Sequence, residues 1–205
     1  MKIIIPARKD SKGLPFKNRK LFKYTADIVP DHLKKYTYVN TDDCEIINMA
    51  EAYGFNVWFR KDELGFDTTS TKEVIVDMMD NFETSDIFVM LYLTYPERTW
   101  EDVMTAYEMF CVNNVKSLLC KKEIETSPFL MLKEESDNRG SQLFHHDLYR
   151  RQDYPKCFEI SHYISIFMKT TINNLNNNMY NIDTIYMEIP NDTIDVDTQK
   201  DLDRL

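Results

Sequence analysis

The sequence predicts an α/β fold in which a mostly parallel β-sheet is flanked by helices. Short apolar runs, typical of strands buried on both faces, alternate with longer amphipathic segments, typical of helices. The chain has 205 residues and 43% hydrophobic content, enough for one substantial core, whereas two independent cores would each be rather small. We therefore expect one domain over residues 1–205.

The apolar runs predict the strands of this sheet. In chain order they are Lys2–Ile5, Tyr36–Asn40, Asn56–Phe59, Ile87–Tyr92, Val115–Cys120, Tyr163–Met168 and Thr184–Ile189. Helices are predicted between them, each beginning at side chains that cap helices well. The caps are Asp42-Asp43 for a helix that Gly54 ends, Thr69 to Thr71 for one through Phe82, and Thr99 for one bearing Val103, Ala106, Tyr107 and Phe110.

The periodicity loosens in residues 127–160, which we call the lobe. It contains a predicted hairpin, Phe129–Leu132, that turns at Asp137–Gly140. We interpret the lobe as a projecting or dimerisation insert. The Asn-rich segment Thr170–Asn178 is interpreted as a short helix or a surface loop.

The overall charge restricts the class of partner. A net charge of -9 and a pI near 5.0 disfavour binding to nucleic acid. One stretch, Arg8 to Lys23, is nevertheless basic, with only Asp10 opposing its cations. A polyanion smaller than DNA, such as a nucleoside triphosphate, is the partner that this stretch suits.

The cysteines and the N-terminus exclude other classes. The four cysteines form no CxxC pair and no Cys/His ligand set, which favours reduced, buried or half-buried thiols over zinc or disulfides. The apolar run after Met1 is far too short for a signal peptide, and no stretch approaches membrane-spanning length. We therefore expect a cytoplasmic protein that does not contact a membrane.

The first strand leads into a loop suited to phosphate binding. Ligands of open α/β sheets bind beyond the carboxyl ends of strands, and this loop has the sequence IPARKDSKGLPFKN. Gly13 permits close backbone approach, and Arg8, Lys12 and Lys17 can neutralise a triphosphate. The alternative is a solvated basic loop, and the Walker pattern GxxxxGK[ST] is absent.

Two carboxylates near the end of the chain suit a metal ion. In the segment TIDVDT, Asp195 and Asp197 point to the same side if the backbone is extended. Such a pair suits Mg²⁺, which takes one or two carboxylates and completes its shell with phosphate and water. The alternative is that Asp197 caps a helix starting at DTQKDL.

Together these segments resemble the acylneuraminate cytidylyltransferases, also called CMP-sialic acid synthetases. The first loop resembles the family signature IPARGGSKGLPGKN, and the later blocks follow in the family's order. Those blocks are Asn40 to Asp43 (STDD), Arg60 with Glu63-Leu64, Asp67 to Thr71 (DTAST), Pro96 to Thr99 (SPLRT), Glu125 to Pro128, Arg150 to Lys156 (RRQDLPK) and Ile194 to Thr198. The resemblance spans essentially the whole chain.

The resemblance implies a Rossmann-like nucleotidyltransferase fold with a small lobe that pairs two subunits into a homodimer. It implies transfer of CMP from CTP to a 2-keto-3-deoxy sugar acid, with release of pyrophosphate and a requirement for Mg²⁺ or another divalent cation. The residues it implies for triphosphate and nucleoside are Arg8, Ser11, Lys12, Lys17, Asn18, Arg60 and Thr71, with Lys12 and Lys17 also stabilising the leaving pyrophosphate. It implies Asp195 and Asp197 as the metal ligands and Arg151 as a contact for the small acidic acceptor.

The departures from the family pattern fall on the acceptor side. The glutamine of the family's LQPTSP is Tyr92, and an asparagine-glycine pair after RRQD becomes Ser161-His162. We therefore expect CTP to be retained and the acceptor pocket, defined by Tyr92 and His162, to be altered. Two alternatives stay open: a related cytidylyltransferase with another acid or phosphate acceptor, such as a CMP-Kdo-type enzyme, and a nucleotide-binding homologue that has lost catalysis.

Overall fold

The structure is a computed structural model that describes residues 1–66 and 68–205, so the Asp67 of the DTAST-like block lies outside the described residues. The strands are β1 Lys2–Pro6, β2 Thr37–Thr41, β3 Asn56–Phe59, β4 Ile87–Met90, β5 Ser117–Glu123, β6 Leu132–Glu134, β7 Gly140–Gln142, β8 Phe158–Met168 and β9 Ile185–Glu188. The α-helices are α1 Lys17–Asp27, α2 Asp31–Lys34, α3 Cys44–Ala52, α4 Thr71–Met79, α5 Trp100–Val112 and α6 Gln199–Leu202.

The strands of the main sheet confirm the predicted α/β class. Within the described residues the sheet is seven-stranded, in the order β3-β2-β1-β4-β8-β5-β9. All neighbours pair in parallel except β8, which runs antiparallel to both β4 and β5. The antiparallel strand follows the lobe, so the chain returns to the sheet from its carboxyl edge.

Helices cover both faces of the sheet because successive strand residues point to opposite sides. Ile3 and Ile5 of β1 pack in one core with α1, α3 and α5, while Ile4 packs in the other core with α4. The predicted caps of three helices are confirmed: Asp43, Ser70 and Thr99 each accept a hydrogen bond from a backbone N–H in the first turn. Their positions fix where the loops at the carboxyl edge end.

Helix α1 was not predicted, because its first residues were taken as part of the basic loop. Its buried residues Leu21, Phe22, Thr25 and Ala26 recur at helical spacing and were the available signal. The lobe hairpin turns where predicted but starts later than Phe129, since Pro128–Leu130 form a 3₁₀ turn. The Asn-rich segment begins with a 3₁₀ helix, Lys169–Asn174.

All four cysteines are free thiols, as predicted, but the expectation that they are at least half-buried was wrong for Cys44 and Cys111, which are exposed. None of the helices in the described part of the chain has the length and apolar character needed to cross a bilayer.

Candidate active site

A cleft of about 280 Å³ opens at the carboxyl edge of the sheet, beside the ends of β1 and β4. Strand β1 lies between β2 and β4 in the sheet, so the strand order changes direction at this point. Such a switch point is where open α/β sheets bind ligands. Of the residues predicted to bind the nucleotide, those lining the cleft are Arg8, Ser11, Lys17, Asn18, Arg60 and Thr71.

Lys12 is exposed and does not line this cleft. It lies in the same loop as Arg8, between β1 and α1, and the structure thus places it outside the pocket wall rather than in it. The prediction that Lys12 contacts the triphosphate stays a prediction.

The loop after β1 is held in place by bonds from its own backbone and from α1. The N–H of Lys9 donates to Asp42 Oδ1 at 2.7 Å, and Asn18 Nδ2 donates to the carbonyl of Arg8 at 2.7 Å. Phe16 starts α1 with φ of 54°, at a position where the family signature has glycine. A left-handed non-glycine residue costs roughly 1 kcal/mol, and the guanidinium of Arg19, 4.6 Å from the Phe16 ring centroid, partly offsets it.

Arg60 brings a buried positive charge to the cleft. Its side chain is 5% exposed, and its hydrogen bonds within the described residues go to Asn40 Oδ1 at 2.7 Å and the Asn40 carbonyl at 3.3 Å. Burial lowers the pKa of Arg60 to about 10, so it remains a cation at neutral pH. A buried cation bonded to neutral acceptors favours an anionic ligand.

The two predicted metal ligands lie on a segment that crosses beside this loop. The N–H of Val196 donates to the carbonyl of Thr94 at 2.8 Å, which fixes the segment beyond the end of β4. A Cβ added to Gly13 would lie 2.4 Å from the carbonyl oxygen of Asp197. The loop and the carboxylate segment therefore touch at Gly13, where a side chain would not fit.

Each carboxylate contacts a side chain from another part of the described chain. Lys17 Nζ lies 2.7 Å from Asp197 Oδ1, and Tyr95 Oη donates to Asp195 Oδ2 at 2.8 Å. The alternative that Asp197 is a helix cap was wrong, because Thr198 caps α6 and forms a capping box with Asp201. The pair is thus not accounted for by helix formation.

The donor set fits a hard divalent cation that arrives with a phosphate. Among the described residues no group of three or more His, Cys, Asp or Glu side chains is arranged to hold a metal. Two carboxylates with phosphate oxygens and water are the ligand set that Mg²⁺ commonly takes. The residues that would hold it are Asp195 and Asp197.

Two of the three predicted acceptor residues, Tyr92 and His162, lie side by side. Their ring centroids are 5.1 Å apart, and Tyr92 Oη donates to Thr71 Oγ1 at 2.9 Å. Burial raises the pKa of Tyr92 to about 12, so it stays a protonated donor. Burial also lowers the pKa of His162, whose Nδ1 is buried and has no hydrogen-bond partner among the described residues.

The structure does not bring Arg151 to this place. Arg151 lines a separate cleft at the base of the lobe with residues such as Glu123, Glu125 and Lys156. As far as the described chain goes, the two clefts share no lining residue. Within one chain, the three predicted acceptor residues therefore do not form a single pocket.

Arg98 has a structural function that the sequence did not reveal. It is 2% exposed, and its guanidinium donates to the carbonyls of Tyr163 at 2.7 Å and Tyr92 at 3.0 Å and to Thr25 Oγ1 at 3.0 Å. It thereby ties the turn after β4 to β8 and α1. Tyr95 was also missed, because no spacing rule places a tyrosine opposite a carboxylate 100 residues away.

Comparisons with known proteins show the family and the fold. The family model described as cytidylyltransferase matches residues 2–189. The N-acylneuraminate cytidylyltransferase of Streptococcus agalactiae serotype V is 27% identical over 208 residues, covering 97% of this chain and 50% of that protein. The CMP-N,N'-diacetyllegionaminic acid synthase of Legionella pneumophila is 31% identical over 137 residues, covering 61% of this chain and 59% of that protein.

The chain thus spans about half the length of the first of these curated relatives. A solved structure of CMP:2-keto-3-deoxy-manno-octonic acid synthetase complexed with CTP superimposes with a TM-score of 0.70. It is 16% identical and covers 99% of this chain and 95% of its own, which shows the shared fold. With the family model matching most of its length, this chain belongs to the cytidylyltransferase family.

Proposed function

We propose that the chain transfers CMP from CTP to a 2-keto-3-deoxy sugar acid resembling sialic acid and releases pyrophosphate. The observation that supports it most is the contact of the cationic loop with the carboxylate pair, in which Lys17 meets Asp197 at 2.7 Å. A site for a triphosphate with a divalent cation needs cations and carboxylates within reach of the same phosphates. The names of the relatives from S. agalactiae and L. pneumophila support an acid sugar as acceptor.

The proposed reaction is an in-line displacement at phosphorus. The anomeric hydroxyl oxygen of the sugar acid forms a bond to the α-phosphorus of CTP and loses its proton to water. The bond to pyrophosphate breaks with its electron pair on the leaving group. Arg8 and Lys17 hold the phosphates, and Arg60 adds a buried positive charge to the same wall. Positioning and charge stabilisation are the main sources of rate in such transfers.

A divalent cation held by Asp195 and Asp197 would neutralise charge on the phosphate oxygens. Lys17 and, from the loop rim, Lys12 would stabilise the charge that develops on pyrophosphate. No covalent intermediate with the protein is required, so no nucleophilic side chain is assigned.

The proposed acceptor pocket lies where Tyr92 and His162 meet. Tyrosine in place of glutamine removes an amide that can donate and accept, and its hydroxyl is already bonded to Thr71. A site that loses such contacts discriminates strongly against the earlier ligand. We therefore propose that N-acetylneuraminic acid is a poor acceptor and that another acid of this class is preferred.

Pyrophosphate release from CTP and Mg²⁺ with a panel of 2-keto-3-deoxy sugar acids tests this function. We expect release with at least one acid, kcat/KM for N-acetylneuraminic acid roughly 10²-fold below the best acid, and a narrower gap in Tyr92→Gln. Efficient use of N-acetylneuraminic acid by the unmodified protein would contradict the altered pocket. Release only with a non-sugar acid or phosphate would favour a related cytidylyltransferase, and CTP binding without release would favour a homologue that has lost catalysis.

We further propose that the lobe pairs two copies of the chain. It exposes large apolar side chains, with Leu130 at 58%, Leu132 at 66%, Phe144 at 50% and Tyr149 at 85% exposed. Apolar exposure of this extent in one small segment is typical of an interaction surface. In a homodimer the lobe of one copy can supply its Arg151 to the cleft of the other copy. Within one chain, Arg151 does not line that cleft.

Adjacent arginines allow this proposal to be tested. Arg150 forms two hydrogen bonds with Asp153, whereas none of the described residues hydrogen-bonds Arg151. We expect Arg151→Ala to raise KM for the acid roughly 10- to 100-fold, because a charged hydrogen-bond pair is lost, with Arg150→Ala as the control. Sedimentation should show a dimer for the unmodified protein and for both variants. A monomer, or equal KM values in the two variants, would contradict the assignment.

A further inference from the structure

A chain of hydroxyl groups ends on one carboxylate of the proposed metal pair. Ser161 Oγ donates to Tyr95 Oη at 3.2 Å, and Tyr95 Oη donates to Asp195 Oδ2 at 2.8 Å. The backbone N–H of Tyr163 donates to Ser161 Oγ at 3.3 Å. The serine oxygen therefore has its own donor, and its proton is left for the tyrosine. All three hydrogen bonds therefore point in one direction, toward the carboxylate.

The side chain of Tyr95 is held in the core, whereas the side chain of Asp195 is exposed. The Tyr95 side chain is 5% exposed and packs edge-on against Tyr163, with ring centroids 5.4 Å apart. The N–H of Arg98 donates to the carbonyl of Tyr95 at 3.3 Å. The Asp195 side chain is exposed although its neighbours Ile194 and Val196 are buried, so the phenol is the more constrained partner and the carboxylate is the group that it orients.

The two carboxylates of the pair are held in different ways. Asp197 is bonded to the cation of Lys17, which neutralises part of its charge, whereas Asp195 is bonded to a neutral phenol and keeps its full charge. Within the described chain no hydrogen bond reaches the other oxygen of Asp195, Oδ1. That oxygen is thus charged, oriented and available for a ligand.

We propose that Tyr95 is a positioning residue for the divalent cation: it fixes Oδ2 of Asp195 and so presents Oδ1 to the metal. The inference rests on the proposed function, which requires that cation. Removing a group that orients a metal ligand typically costs 10- to 100-fold in metal affinity. Ser161 supports Tyr95 in the same way, one step further from the carboxylate.

Both residues in the chain of hydroxyl groups, Tyr95 and Ser161, depart from the family pattern. Tyr95 stands at the serine of LQPTSP, and Ser161 stands at the asparagine of the pair after RRQD. Ser161 is only 7% exposed, so with serine in place of Tyr95 its buried hydroxyl proton would lose the acceptor that it has here. The two changes are therefore best understood as one contact.

The test measures metal binding directly. Mn²⁺ is titrated into the full chain with a non-hydrolysable CTP analogue and followed by electron paramagnetic resonance, in unmodified protein and in Tyr95→Phe. We expect the dissociation constant of Mn²⁺ to rise about tenfold, with kcat largely restored at saturating Mn²⁺ and KM for CTP little changed. Tyr53→Phe is the matched control, because Tyr53 Oη also donates to a carboxylate at 2.6 Å, and that carboxylate, Asp27, is not one of the proposed metal ligands.

An unchanged Mn²⁺ affinity in Tyr95→Phe would overturn the proposal, and so would a loss of activity that Mn²⁺ does not rescue, since that indicates a purely structural function. Ser161→Ala is expected to weaken Mn²⁺ binding in the same direction by a smaller factor. If Tyr95→Phe does not fold, Ser161→Ala is the deciding variant. An unchanged Mn²⁺ affinity in Ser161→Ala would then overturn the proposal. Failure of the unmodified protein to bind Mn²⁺ would instead reject the metal assignment itself.

Discussion

Asp195→Asn and Asp197→Asn are each expected to lower turnover about 10³-fold while the protein remains folded. A divalent cation at transferred phosphate groups contributes several kcal/mol to transition-state stabilisation, and each 1.36 kcal/mol corresponds to a factor of ten. An amide in place of either carboxylate keeps the shape but removes the negative charge that anchors the cation. The loss should therefore appear in turnover and in metal affinity together.

The folding cost of these two changes should be small. The Lys17–Asp197 pair is partly solvated, with side-chain exposures of 13% and 70%, and such pairs contribute about 0–1 kcal/mol. In Asp195→Asn, the amide oxygen can still accept the hydrogen bond from Tyr95. Thermal unfolding should accordingly move by a few degrees at most, which separates loss of chemistry from loss of structure.

Asp192→Asn is the control, since Asp192 is exposed in the same segment and the change in charge is the same. It should leave turnover and the metal titration unchanged. Near-normal activity of both Asp195→Asn and Asp197→Asn at ordinary Mg²⁺ would reject the metal pair and leave those carboxylates with surface contacts alone.

The sequence allowed the sheet, and the loop that lines the main cleft, to be predicted because both depend on local patterns. Buried strands such as β1 are continuous apolar runs, and the caps Asp43 and Thr99 precede periodic segments, so short-range rules suffice. The loop after β1 follows from its composition and from its place at a strand's end. Helix α1 was missed because its polar first turn continues that loop without a capping side chain.

The acceptor side could not be predicted to the same depth, because its contacts join distant parts of the chain. Tyr95 reaches Asp195, and Arg98 bonds to Tyr163, across separations that periodicity does not encode. The resemblance grouped Arg151 with Tyr92, but the fold places them in different clefts. Sequence order therefore predicted residues for that side but not which of them meet within one chain.

Lys17→Met is expected to lower turnover roughly 10²- to 10³-fold, since a preorganised cation facing developing charge is lost from the cleft. Metal binding by the free protein should change in the opposite sense. Lys17 Nζ contacts Asp197 Oδ1, so a cation that binds this oxygen must displace the lysine. Without the lysine, Mn²⁺ should bind the free chain about two- to fivefold more tightly, the factor that corresponds to a partly solvated ion pair.

This pairing has a consequence for the order of binding. A triphosphate that attracts Lys17 releases Asp197, so nucleotide and metal should strengthen each other's binding in the unmodified protein, and by the same factor. In Lys17→Met that mutual strengthening should decrease, whereas Lys20→Met, an exposed lysine on the same helix, should preserve it. Mn²⁺ titrations with and without the CTP analogue measure both quantities. Weaker Mn²⁺ binding by free Lys17→Met would mean that the lysine instead holds Asp197 in place for the metal.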